Sequence, residues 1–178
     1  NTDTGAGAKL QKTIQISPTW VESARTEGGI WLEAENHSGE GGGTSRIMNG
    51  RVNASGRIVT YWDKDIGHWL EWKIAVAPTG AYAIALRYAS GAEQALRSCR
   101  IDGASPGAEW NRLLFPGTGG YCTQTDNWSW RLLKGKDGRV LLHTLSTGEH
   151  TLRLTNRGGG MALDAILLVP SAALPTAP

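Results

Sequence analysis

The stretch IWLEAEN at residues 30–36, with its distant counterpart LDAILLV at residues 163–169, decides how this chain is read. Each has the alternating or continuous apolar character of a β-strand. Each also carries carboxylates where a buried strand has little use for them: Glu33 and Glu35 in the first, Asp164 in the second. Glu33 and Glu35 lie two apart, so on a strand both side chains leave the same face. Two like charges side by side need a cation between them, or one must be protonated. A third carboxylate from a distant strand completes an oxygen cage of the kind a hard cation such as Ca2+ prefers. The competing reading, three solvated edge charges, fits the pattern as well.

At 178 residues the chain suits one domain with a real core, plus tails. Its net charge of +2 gives neither a nucleic-acid footprint nor a membrane-surface patch. No apolar run is long enough to span a bilayer, and no signal-peptide pattern opens the sequence, so a mature or excised fragment is expected. Arginine outnumbers lysine, a mild pointer to carboxylate or sulfate recognition. Eight tryptophans against one phenylalanine exceed what a small core needs, and tryptophan supplies flat, amphipathic surface. Cys99 and Cys122 fit either one disulfide in a secreted domain or two buried thiols. Sequons at Asn36, Asn53 and Asn127 matter only where the source glycosylates.

Residues 1–12 read as a linker or tail, and TIQIS at 13–17 as an edge strand stopped by Pro18. A long Gly/Ser/Asn-rich stretch follows residue 36 and reads as an irregular surface loop. Strands then come in close succession: RIVTYW (57–62), HWLEWKIAV (68–76), AYAIALRYA (81–89), LRSCRI (96–101), WNRLLF (110–115), WSWRLL (128–133), GRVLLHTL (138–145) and HTLRLTN (150–156). In 68–76, Leu70, Trp72, Ile74 and Val76 face one way and Glu71 and Lys73 the other, the mark of an antiparallel strand with one buried face. Asp102-Gly103 is a hairpin signal, and Thr147-Gly148 predicts a second hairpin between 138–145 and 150–156. Residues 171–178 read as a linker. No segment shows a sustained helical period, and the short strands with regular turn signals predict an all-β antiparallel sandwich over 13–170.

Nothing supports catalysis strongly. His37, His68, His143 and His150 are scattered, and no nucleophile elbow, zinc motif or P-loop occurs. Two carboxylates on one strand face are too close and too alike for the separated acid and base of glycoside hydrolysis. Binding has more to work with, because sugars are held by aromatic faces and planar polar groups. Tyr61 and Trp62 close a strand, while Tyr121, Asn127 and Trp128 lie in the loop after Gly120, and a sandwich gathers alternate loops at one end. Trp62 and Trp128 fit equally well as core residues at strand ends. Trp69, Trp72, Trp110 and Trp130 are expected in the core.

The order EAE, ASGRIVTYW, GHWLEWKIAV-P-GAYAIALRYASG, RIDG, FPGTGG…NWSW, GEHTLRL and ALDAILLV resembles the carbohydrate-binding modules of families 6 and 35 across residues 30–169. The resemblance implies a jelly-roll, galactose-binding-like sandwich. It implies a structural calcium on Glu33, Glu35 and Asp164, with backbone oxygens from around Ser55 and Arg57. It also implies sugar held between Tyr61 or Trp62 and an aromatic of the loop, Tyr121 or Trp128. The asparagine such modules carry before the last strand is replaced by Ala162, so Asn127, Asn156 and Arg157 are the expected polar contacts.

The expectation is therefore a non-catalytic, secreted or periplasmic, monomeric module bound to a polysaccharide or oligosaccharide, possible acidic glycans included, and joined to a catalytic domain in a longer chain. It has no nucleic-acid or membrane partner. A protein-interaction sandwich that has lost its sugar site predicts instead that Trp62 and Trp128 are buried. An enzyme, such as a lyase with the carboxylates as catalysts, predicts turnover lost in Glu35→Gln without loss of fold.

Overall fold

A computed structural model describes residues 16–175. Tail residues 1–12 and most of the 13–17 segment lie outside this range. The described part of that segment is no strand. Ser17 caps a helix, α1 (Pro18–Thr26), its side chain accepting from the Trp20 amide at 3.1 Å. Proline at the first helical position and a serine cap are the start signals of a helix. Its single inward stripe is Val21 and Ala24, too short a run to register as a helical period.

Twelve strands follow: β1 (Ile30–Glu33), β2 (Gly39–Gly41), β3 (Arg46–Met48), β4 (Ile58–Thr60), β5 (Trp69–Val76), β6 (Gly80–Ala89), β7 (Gln94–Ile101), β8 (Leu113–Pro116), β9 (Ser129–Leu132), β10 (His143–Leu145), β11 (Gly148–Gly158) and β12 (Ala162–Pro170). The expected sandwich is present. One antiparallel sheet runs β10-β6-β12-β4-β3, with β1 added to β12 and β9 to β6. The other runs β2-β5-β11-β7-β8. The loop after residue 36 thus carries two short strands. Asp102 and Gly103 both take positive φ in the expected turn. The Thr147-Gly148 turn does not make a hairpin, because β10 pairs with β6 and β11 with β5 and β7 in the opposite sheet. Trp110 lies in a 3-10 turn (Ala108–Asn111) rather than a strand.

Between the sheets, Leu70, Trp72, Ile74, Tyr82, Ile84, Leu86, Leu152, Leu154, Ile166 and Leu168 form the main core. A second apolar layer lies on the outer face of the seven-stranded sheet. There Ala83, Ala85, Leu132, Leu167 and Val169 are covered by Val21 and Ala24 of α1 and by Ala173. The Trp20 indole N–H donates to the Ala173 carbonyl at 3.1 Å, tying the helix to the turn Ser171–Ala173. β12 is accordingly buried on both faces from Ala162 to Val169. Two rungs cross this outer face, Trp31–Leu167–Ala85–Leu132 and Glu33–Ala165–Arg87–Trp130. Cys99 and Cys122 are both buried free thiols.

Candidate functional site

Two neighbouring features answer the sequence expectations. In the carboxylate cluster, Glu33 ends β1, but Glu35 lies in a 3-10 turn (Ala34–Asn36) and not on a strand. Asp164 is the extra residue of a bulge in β12, where the register shifts between Leu163 and Ala165. A bulge re-aims the inserted side chain, and Asp164 is aimed at the loop 55–57. Ser55 Oγ donates to Glu33 Oε2 at 2.7 Å, the Ser55 amide to Asp164 Oδ1 at 2.9 Å, and the Arg57 amide to Glu35 Oε1 at 3.1 Å. A Cβ on Gly56 would sit 2.9 Å from Glu35 Oε1, so a larger residue there would push the carboxylate aside.

Ser55 and Arg57, expected to lend carbonyl oxygens, hold the carboxylates in place through their N–H groups. Arg87 pairs with Asp164 Oδ2 at 2.6 Å, so three carboxylates face one cation. Glu35 Oε2 is buried without a partner. That orphan and the uncompensated charge suit a hard cation. As placed, no three His, Cys, Asp or Glu side chains among the described residues stand close enough to hold a metal.

At the β4 end of the sandwich lies a cleft of about 290 Å³ walled by Tyr61 and Tyr121, with Arg51, Thr60, Asp63 and Met161 around it. Tyr61 is 53% exposed and has φ of 56°, a left-handed turn that swings its ring outward as β4 ends. Arg46 lies over the ring at 4.5 Å. Tyr121 fits between two glycines. A Cβ on Gly91 would lie 2.8 Å from its ring, and one on Gly160 would overlap its hydroxyl. Arg51 lines the cleft, and its Nε is buried with no partner among the described residues.

The cleft gathers Tyr61, Trp62 and Tyr121 but not the other expected contacts. Trp62 lines the cleft but is wholly buried, donating to the His68 carbonyl at 3.0 Å with Arg97 over its ring at 4.4 Å, so Tyr61 is the exposed aromatic of the pair. Asn156 is buried and bonded at both ends of its amide. Its oxygen takes Arg97 Nη1 and the Gly158 amide, and its nitrogen gives to the Asp65 carbonyl. Arg157 is a bulge residue bonded to Ser98 and does not line the cleft. Asn127 spends its oxygen on Cys122 and Thr125 within its own loop. Trp128 points elsewhere, donating to the Val52 carbonyl at 2.8 Å. Trp72 and Trp110 are core as expected, while Trp69 and Trp130 are half-buried.

Arg51, Asp63 and Met161 were not singled out by sequence, and neither was the buried Arg97 that supports the cleft. Arg97 donates to the carbonyls of Trp62, Gly158 and Gly159 at 2.9–3.1 Å. Its signal was the phase of β7, where Ala95, Arg97, Cys99 and Ile101 share the inward face.

A serine, histidine and aspartate also meet, but not catalytically. His150 Nδ1 lies 2.6 Å from Asp102 and Nε2 lies 2.8 Å from the Ser146 carbonyl. A carbonyl accepts only, so Nε2 carries a proton and is no base for the Ser146 hydroxyl.

No protein-family model and no curated protein sequence matches this chain. Solved structures do. A family 35 carbohydrate-binding module from Clostridium thermocellum superposes with a TM-score of 0.62 at 19% identity, covering 80% of this chain and 98% of that one. The GH26-CBM35 β-(1,4)-mannanase of Podospora anserina gives 0.63 at 22% identity, covering 83% of this chain and 29% of that one. A family 6 module of Cellvibrio mixtus lichenase 5A, solved with cellotriose, gives 0.54 at 23% identity, covering 80% and 97%. The chain has the β-sandwich fold of these family 35 and family 6 carbohydrate-binding modules.

Proposed function

We propose that this chain is a non-catalytic carbohydrate-binding module that holds an appended polysaccharide-degrading enzyme at its glycan. The observation that carries this reading is the cleft between Tyr61 and Tyr121. Two aromatic walls are set at the end of a rigid sandwich, with Arg51 and Asp63 supplying planar polar groups between them. Tethering raises effective concentration and lowers no barrier. The Arg51 guanidinium in the lining favours a ligand with a carboxylate or vicinal hydroxyls, so an acidic polysaccharide is the first candidate. Secretion, with a monomeric module outside the cell or in the periplasm, follows from a polymeric substrate. No helix among the described residues is long and apolar enough to cross a membrane.

We further propose that calcium binds at Glu33, Glu35 and Asp164 as a structural ion. When bound it would compensate the surplus negative charge and give Glu35 Oε2 a partner. The test is an affinity-gel panel of neutral and acidic polysaccharides, with calcium and with chelator. Retardation lost in Tyr61→Ala and in Tyr121→Ala, each folded, supports the reading. Silence of the folded wild type over the whole panel overturns it in favour of a protein-interaction sandwich, a role that calls for Trp62 and Trp128 both to be buried; Trp62 is, and Trp128 is half-buried.

A further inference from the structure

Over the outer face of the seven-stranded sheet, a groove of about 600 Å³ runs from α1 to the carboxylate loop. Its walls are Trp31 on β1 and Trp130 on β9, which meet edge to face at 5.5 Å, with Trp128 beyond them. All three rings are half-buried rather than core. The N–H of Trp31 is spent on Glu33 at 2.9 Å and that of Trp128 on Val52, so both rings are pinned; Arg25 lies over the Trp31 ring at 4.1 Å and Arg87 over the Trp128 ring at 5.4 Å, so each has at most one face left for a ligand.

We propose that this groove is a second carbohydrate site, separate from the Tyr61–Tyr121 cleft, that takes a neutral pyranose unit; the inference rests on the sugar-binding reading above. Pinned indoles offer faces for sugar C–H surfaces at low entropic cost. The polar groups favour a neutral partner. Arg87 is balanced by Asp164, and among the described residues only its Nη1 finds acceptors, which leaves Nε and Nη2 as donors for hydroxyls. Arg25 stacks on Trp31 at 4.1 Å with Glu22 beside it, and Asp126 adds an acceptor. An anionic sugar would meet Asp126 and Glu33 with no unbalanced cation to repay it.

The experiment is 19F NMR of protein labelled with 5-fluorotryptophan, its resonances assigned by single Trp→Phe substitutions. Wild type and the Tyr61→Ala/Tyr121→Ala variant are titrated with cellohexaose, mannohexaose, isomaltohexaose and a galacturonate hexamer. Expected is a saturable shift of the Trp31 and Trp130 resonances with a neutral hexaose, retained in the double variant with less than twofold change in midpoint, while Trp72 stays still. If a hexaose binds wild type but these resonances do not move, or move only while the tyrosines are present, the second site is overturned and the cleft reading stands. A response to galacturonate alone overturns the neutral class. No response anywhere, with polysaccharide panels also silent, overturns both.

Discussion

Arg97 is wholly buried and reaches five acceptors on three separate segments: Leu96, Asn156, the Gly158–Gly159 turn and Trp62. Burial pushes its guanidinium down to about 9, so it remains charged at neutral pH. Removing it strands buried carbonyls, which costs far more than the net value of the bonds themselves. Arg97→Ala should therefore lower stability by roughly 3–5 kcal/mol, read from the urea midpoint. The inward phase of β7 made this legible, but an arginine on an apolar face is easily passed over as an outlier. His150 carries a pH signature. Its hydrogen bond to Asp102, helped by the Ser146 carbonyl, raises it above its ordinary 6.5. A raised histidine stabilises fully below the unfolded value and loses that contribution as pH rises through the folded one. Asp102 is held low: burial pushes it up, and the bonds from His150 and Thr151 outweigh that. Its share is lost only as pH falls below the ordinary 3.8. Melting temperature should then decline from about pH 6.5 upward, and His150→Gln should flatten that decline.

At the scale of elements, α1 is the feature the sequence concealed. Nine residues with two inward side chains give no period, yet Ser17-Pro18 is a complete start signal. Ser17→Ala should cost about 1 kcal/mol by thermal melting, because the Trp20 amide loses its acceptor. The strands were readable because alternation reports burial directly, as in β5. β12 was readable as a strand, but its continuous apolar run left open what covers its second face. That cover is α1. The two bulges were beyond reach, since pattern does not reveal one extra residue. They decide the sites nonetheless, aiming Asp164 at the 55–57 loop and turning Arg157 away from the cleft. For the same reason four of the seven expected sugar contacts fall elsewhere: order along the chain says which loops cluster, not which way each side chain points.

For the whole molecule, the carboxylate cluster is a joint. β1, the 55–57 loop and β12 meet there, and three carboxylates are balanced by one arginine. An ion bound only to the folded state at a hundred times its Kd adds about 2.7 kcal/mol. For a domain of this size that is roughly 5–10 °C. Chelator should lower the melting temperature by that amount and calcium should restore it. Glu35→Gln should blunt the response. An unchanged melting curve would remove calcium from the account while leaving the sandwich intact. The resemblance carried the fold well because fold is set by strand order, whereas Glu35 lies in a turn and Asp164 at a bulge, which strand order does not reveal. It carried ligand contacts poorly because those lie in loops.

The two cysteines stand at different depths of this architecture, and both are free. Cys99 lies in β7 within the main core, and burial raises its thiol strongly. Cys122 lies in the loop beside the cleft, with φ of 59° and the Asn127 amide on its sulfur. A thiol-reactive dye therefore becomes a two-handed clock. Modification at Cys122 times the opening of one loop, while modification at Cys99 waits for the sandwich to come apart. A glycan that binds the cleft should slow the first hand and leave the second nearly unmoved.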